Sequence, residues 1–425
     1  MNKIYNSKFD ETYFQEVLDN GLKVIINYKP EFKTSTCVIG TPYGALDMFQ
    51  NVNGEDIVNN AGVAHFLEHK LFETGSIDVM SLFTSLGCSV NAFTSYNETC
   101  YYFKTTNKNI DEPLNLLLDF VQSLEIDEVS VEKEKGIIIQ EVKMYDQMPD
   151  AKLSNEAYSS VYYNFPLKYD IGGDEASVTK ITKDELESCY KRNYHPSNMI
   201  LVITSPINPE YLYNLIVTNQ SKKDFGPKPD IKRTVVNEPI EVVKEKVVVK
   251  MDVASNKLAY TFKIKNQELS PLEKSNEEWA IRFLLDMHFT SLNPDYEKWM
   301  KDELINDYFG YEIDFGNGYT YMMFYSENCD LSVFQKFIDD ELNKIKNNET
   351  NNTKFEQLKR RYYGKSFDIF NSSEDMSIGL IRYYLSDLSY YKSVEALLKL
   401  DLDYCIEVLR NLDLTNSSLV EIKNY

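Results

Sequence analysis

One polar stretch constrains the architecture of this chain more than any other. It is SKKDFGPKPDIKRTVVNEP, residues 221–239, dense in charge and broken by prolines and a glycine. Such a segment reads as a linker rather than as part of a core. It divides 425 residues into two stretches of roughly 200, each long enough to build a domain. The patterns on its two sides follow a similar order. GLKVIINYK (21–29) and TSTCVIGTPYG (34–44) read as strands, followed by helical segments and the hairpin CSVNAFTSYNETCYYFKTT (88–106). After the linker, EVVKEKVVVKMDV and NKLAYTFKIK read as strands, followed by the long helix EKSNEEWAIRFLLDMHFTSL and strands near 310–326. The expectation is an α+β chain of two related domains, 1–222 and 241–425, joined by a linker at 223–240. Each domain is expected to carry a mixed or antiparallel sheet with helices on one face. No fixed-period repeat accompanies this similarity.

Composition excludes several function classes. Hydrophobic residues make up 43%, with 31 Tyr and 23 Phe, which is ample for two cores. A formal net charge of −21 argues against nucleic acid or an anionic membrane as partner, since both need a basic face. Six scattered cysteines without a C-x-x-C pair suit buried thiols in a reducing compartment. The N-terminal residues lack the apolar core of a signal peptide, and no apolar run is long enough to span a membrane. A cytoplasmic protein is expected.

Chemistry concentrates in AGVAHFLEHKLFE, residues 61–73, which holds two of the chain's four histidines. The segment reads as a helix, with Asn59 or Asn60 as its cap and Gly75 just past its end. A second helix, 76–87, is expected to start on Ser76. At about 100° per residue, His65, Glu68 and His69 share one face, while Val63, Phe66 and Leu67 take the other. Two imidazoles one turn apart can bind one metal ion, and a catalytic zinc site takes three protein ligands. A carboxylate beside them that does not ligate is placed to take a proton from water. The third ligand has to come from elsewhere. In EKEKGIIIQEVKMYD (132–146), Glu141 follows an isoleucine run. A carboxylate among buried groups is costly unless it is paired or ligates a metal, which favours Glu141 as that ligand. Glu134 lies two turns earlier on the same face; Glu132 and Lys133 read as solvated. A di-iron carboxylate site is set aside, because no histidine has a glutamate three positions before it.

With these residues in hand, the chain resembles the insulinase/pitrilysin family of zinc peptidases, whose helix reads H-x-x-E-H. GVAHFLEHKLFE, NAFTSYNETCYYF, EKGIIIQEVKMYDQMPD and YHPSNMILVIT follow that family's N-terminal domain in order, over about residues 20–215. The small bacterial branch is the nearest in length. The second half is carried only by DELINDYFGYEIDFGNGYTYMMF, 302–324. The resemblance implies that His65, His69 and Glu141 bind one zinc ion per chain. It makes Glu68 the general base for a metal-activated water that attacks a peptide carbonyl. Glu134 would hold the metal environment in place, and Asn91 and Ala92 would lie on an edge strand that pairs with the substrate backbone. Phe93 reads as core.

The family's fold implies two related halves forming part of a clamshell chamber that admits short or unfolded peptides. It also implies pairing with a second chain, identical or catalytically silent, in general hydrolysis or in peptide maturation. One position departs from the family: where active members carry an arginine seven residues before a tyrosine, Tyr308 is preceded by Lys301. These two are the candidate substrate-carbonyl clamp, and the missing arginine leaves a non-catalytic, peptide-binding subunit as the alternative. His195 reads as structural and His288 as a satisfied core histidine.

Overall fold

The computed structural model describes residues 1–74, 77–106, 109–234, 236–347 and 349–425. The chain is α+β and forms two compact units, each assembled from three segments. The first comprises Met1–Val142, Asp170–Thr234 and Phe367–Tyr391; the second comprises Lys143–Tyr169, Val235–Ser366 and Lys392–Tyr425. Among the described residues no helix is long and apolar enough to cross a membrane.

The first unit is built on a seven-stranded sheet. Its strands are β1 (Asn2–Asn6), β2 (Glu11–Val17), β3 (Lys23–Tyr28), β4 (Thr34–Thr41), β5 (Ser89–Thr94), β6 (Thr99–Thr106) and β7 (Ile200–Ser205). They run in the order β1-β2-β3-β7-β4-β6-β5, with β7 parallel to β3 and every other pair antiparallel. Successive residues Val24, Ile25 and Ile26 are all fully buried, so both faces of the central strands need cover. Val24, Ile26, Cys37, Ile39, Leu201 and Ile203 face one core, which includes helices α1 (Val63–Leu71) and α2 (Glu128–Asp146). Ile25, Val38, Cys100 and Val202 face the other way.

The second unit carries β8 (Lys246–Lys250), β9 (Lys257–Ile264), β10 (Gly310–Phe315), β11 (Thr320–Glu327) and β12 (Ser417–Lys423), in the order β8-β12-β9-β11-β10. The first strand pairs parallel with the last, and the rest are antiparallel. The core of the first sheet, β3-β7-β4-β6-β5, has the same winding. The two units are therefore topological copies.

To the helical layer expected on one face of each sheet, the structure adds one helix on the other. In the second unit this is α3 (Pro149–Val161), which packs on β9 and β12. The main core of that unit, under the long helix α4 (Pro271–Phe289), takes the opposite face through Tyr260, Phe262, Met322 and Phe324. In the first unit the added helix is α5 (Ser373–Leu385), which packs on β4 and β7. The Ser377 hydroxyl donates to the Thr36 carbonyl at 3.1 Å and is hydrogen-bonded with Thr204 Oγ1 at 2.8 Å. Gly40 lets this helix approach: a Cβ there would stand 2.6 Å from Cys100 Sγ and 2.9 Å from Leu385 Cδ1. The contacts thus do not divide at a single cut through residues 223–240. Each half of the sequence contributes one helix to the other half's unit.

The polar connector is pinned at two points. In the first unit, Ile231–Arg233 pairs with Phe49–Val52, and Arg233 donates twice to Asp47, at 2.8 and 3.0 Å. In the second, Glu238 accepts the N–H groups of Tyr163, Asn164 and Phe165 at 2.8, 2.7 and 2.8 Å. It also takes the Lys263 ammonium at 2.6 Å, whose side chain is only 4% exposed. Removing one partner of a buried pair strands the other charge. Glu238→Ala is therefore expected to cost about 3 kcal/mol, with Glu238→Gln losing less, read from urea denaturation midpoints.

Candidate metal centre

Helix α1 starts from Gly62, whose φ of +91° suits glycine, and no side chain caps it. The asparagines expected as caps are used elsewhere. Asn60 gives its N–H and Nδ2 to Glu185 at 2.7 and 2.8 Å, and Asn59 accepts from Arg192 Nη2 at 2.8 Å. A glycine pair fixes the helix start instead. A Cβ on Gly62 would stand 2.4 Å from the Gly172 carbonyl oxygen, and one on Gly173 (φ +77°) 2.6 Å from that of Ala61. Gly75 and Ser76 lie outside the described residues. The next helix runs Val79–Ser85, capped by Asp78, which accepts the Met80 N–H at 2.9 Å.

Val63, Phe66, Leu67 and Leu71 anchor α1 in the core, and the opposite face presents His65, Glu68 and His69. Glu141 Oε2 lies 3.9 Å from His65 Nε2 and 3.5 Å from His69 Nε2, and the three donor atoms fall within 4.8 Å of one another. Ligands bonded at zinc distances in a tetrahedron stand about 3.3 Å apart, so this donor set fits one ion with little adjustment. It is the one such group found among the described residues.

The burial argument for Glu141 does not hold. Its side chain is 28% exposed and Ile137 is 46% exposed, because the isoleucine run wraps around α2 rather than facing inward. The buried carboxylate of that helix is Glu134. Val131, Glu134 and Ile138 form its inward stripe. Glu134 Oε1 lies 2.9 Å from His69 Nδ1. An ionised carboxylate only accepts, so Nδ1 carries the proton and the Nε2 lone pair is left towards Glu141.

The electrostatics separate the two imidazoles. Burial, then the charge of His69, lowers the His65 pKa to about 4, which keeps that ring in the neutral form a metal needs. Burial opposes charge on His69 too. There the Glu134 hydrogen bond and the field of Glu134, Glu141 and Glu68 outweigh it, and the pKa is raised. Burial also works against ionised Glu134, but His69 and then Lys70 and Lys133 prevail and lower its pKa. Burial raises the Glu68 pKa against the hydrogen bond from Thr94, whose Oγ1 donates to Glu68 Oε2 at 2.6 Å. Sequence reading missed Thr94; its signal was a polar residue two positions beyond Ala92, on the same face of the strand.

Asn91 and Ala92 lie on β5, at the sheet edge. Ser95 donates to the Glu98 carbonyl, which sets the phase of the ladder: the backbone groups of Ala92 point away from β6. The outward Ala92 N–H is taken at 2.9 Å by the Asn91 side-chain oxygen. Phe93, expected as core, is only partly buried and lies on the α5 face beside Ile381. Lys301 and Tyr308 belong to the second unit. Lys301 is exposed at the end of a helix, Tyr296–Lys301, and Tyr308 donates to Asp150 Oδ1 at 2.7 Å with the Lys257 ammonium 3.8 Å from its ring centroid. His195 Nδ1 accepts the Ser197 N–H in a turn, and His288 is buried against Glu341 at 3.5 Å.

Comparison with known proteins identifies the family. Residues 53–175 match the family model described as Insulinase (Peptidase family M16), and residues 180–362 match the Peptidase M16 inactive domain. The "Uncharacterized zinc protease YmfH" of Bacillus subtilis is 33% identical over 398 residues, 93% of this chain and 92% of that protein. The chain belongs to the insulinase family of peptidases, family M16. An M16-like chain from Alicyclobacillus acidocaldarius superposes with a TM-score of 0.92 at 27% identity, over 97% of this chain and 98% of that one. The "Probable mitochondrial-processing peptidase subunit beta" of Schizosaccharomyces pombe is 29% identical over 213 residues, 49% of this chain and 44% of that protein.

The glycine lock yields a test. Gly173→Ala forces a side chain into a left-handed conformation against the Ala61 carbonyl, and is expected to cost about 2 kcal/mol or more, measured by equilibrium denaturation.

Proposed function

We propose that this chain is a zinc-dependent peptidase. The observation that carries the reading is the convergence of His65 Nε2, His69 Nε2 and Glu141 Oε2 beside a carboxylate, Glu68, held by Thr94. The relative from Bacillus subtilis, named a zinc protease, supports it. His65, His69 and Glu141 would hold one zinc ion, which when bound supplies the Lewis acidity that polarises a peptide carbonyl and acidifies water.

The remaining work falls to side chains of this chain. Glu68 takes a proton from the attacking water on a carboxylate oxygen as the C–O bond forms. It returns that proton to the amide nitrogen as the C–N bond breaks, so water is consumed and an acid and an amine leave. A pKa raised by burial suits a group that both takes and gives a proton. Thr94 fixes its rotamer, and Glu134 fixes the tautomer and tilt of His69. An extended peptide pairs with β5 once the Asn91 side chain swings off the Ala92 N–H.

Lys301 and Tyr308 stay candidates for a carbonyl clamp through the resemblance alone, and the Tyr308 hydroxyl is committed to Asp150. Assembly with a second, identical or related chain is proposed as well; the relative from Schizosaccharomyces pombe is itself named a subunit.

Glu68→Gln is expected to keep the zinc content of the wild type while cleavage of a quenched-fluorescent peptide falls about 10³-fold. Cleavage that survives the substitution would remove Glu68 from its role. Zinc affinity, titrated against a chromophoric chelator, should fall about 10- to 100-fold in Glu134→Gln. It should fall further in Glu141→Gln, and an unchanged affinity there would mean that the third ligand lies elsewhere.

A further inference from the structure

We infer that Arg382 sets substrate preference, by receiving the carboxylate of an acidic side chain from a peptide strand laid along β5. This rests on the strand-pairing reading above and adds to it a residue brought in from late in the sequence.

Arg382 sits in the last turn of α5. Its guanidinium carbon lies 4.7 Å from the centroid of the Phe93 ring. Stacking on an aromatic face holds the plane of the group without using its N–H donors. The second contact is loose: Nε stands 3.6 Å from Glu98 Oε1, outside hydrogen-bond range. The Arg382 side chain is 55% exposed, whereas that of Glu98 is 11% exposed. An incoming group therefore meets the cation first, with a planar fork already oriented and its donors open. That is the arrangement that recognises a carboxylate in two-pronged fashion.

The register of β5 says which substrate side chains reach it. Side chains alternate across a strand, and an added strand places each side chain on the same face as the residue opposite it. Val90 and Ala92 face the core that holds α1, and Thr94 reaches Glu68 on that face. Phe93 faces α5. A paired peptide thus sends one row of side chains to the Glu68 face. The other row, next to Phe93, goes to Arg382. The preference should appear at one position of the peptide and disappear at its immediate neighbours.

The test uses extended peptides with amidated C-termini, so that a single aspartate walked along a neutral sequence is the only carboxylate. Matched series carry asparagine or lysine in its place. Binding is read by fluorescence anisotropy on the Glu68→Gln chain, and cleavage on the chain with native Glu68. At one position aspartate should be favoured over asparagine by about tenfold, less at high salt. Arg382→Ala should bring that ratio to one, Arg382→Glu should turn it in favour of lysine, and Arg382→Lys should keep part of it. If Arg382→Ala does not fold by circular dichroism, Arg382→Gln takes its place. An aspartate preference that persists in Arg382→Ala and Arg382→Glu, or none at any position, overturns the inference. An Arg382-dependent binding ratio without cleavage sustains it and sinks the peptidase reading instead. Cleavage with no effect of Arg382 does the reverse.

Discussion

A sheet whose central strands are apolar on both faces cannot leave either face wet, and the rest of this structure follows from that constraint. Ile25, Val38 and Val202 are fully buried beneath Ile381, each worth about 2 kcal/mol of apolar burial. The helix that covers them comes from residues 373–385, far from the strands in sequence. The second unit meets the same demand with α3, from residues 149–161. Each half of the chain thus completes the sheet built by the other. The exchange has a chemical consequence: it sets a late-sequence arginine over Phe93, one residue from the threonine that holds Glu68.

Within the first unit, the bond between His69 and Glu134 organises the candidate centre. It links α1 to α2, chooses which imidazole nitrogen keeps a lone pair, and gives a buried carboxylate its partner. Glu141, two turns further along α2, reaches both histidines from a partly buried position. The division suits the chemistry. The carboxylate that orients His69 is desolvated and fixed, while Glu141 stays partly accessible to water.

Much of this was legible in sequence, and the exceptions share causes. The H-x-x-E-H face, the hairpin, and α2 at Glu128–Asp146 follow from local periodicity, which needs no knowledge of partners. The argument that singled out Glu141 does not hold: three isoleucines in a row suggest a buried segment, yet on a helix they point in three directions, and only Ile138 is fully buried. The cap of α1 was misread because asparagines are good caps in isolation, whereas Gly172 and Gly173, more than a hundred residues away, set the start of that helix. The polar segment 221–239 reads as a flexible linker, but Asp47 and the Tyr163–Phe165 backbone, which tie it down, are remote in sequence. Thr94 and Arg382 were missed because their roles depend on strand phase and on the helix exchange. Neither leaves a local pattern.

The two units share a winding but differ in their polar chemistry: among the described residues, the candidate metal group falls in the first. In chain order α4 stands where α1 stands, between the second and third strands of the common core. Two of its charged groups already have partners: Glu278 pairs with Arg282 at 3.2 Å, and Asp286 accepts the hydroxyls of Tyr311 and Tyr362. Asp314 on β10 takes the Tyr319 hydroxyl at 2.6 Å. A carboxylate whose lone pairs already receive phenol donors gains little by ligating a cation and would strand those donors if it did. In the first unit the pattern is inverted. Glu134 serves a histidine rather than a tyrosine, and the Nε2 atoms and Glu141 are left facing one point. The same fold thus turns carboxylates to tyrosine hydroxyls in one copy and brings two imidazoles and a carboxylate together in the other, and that convergence is what the peptidase proposal rests on.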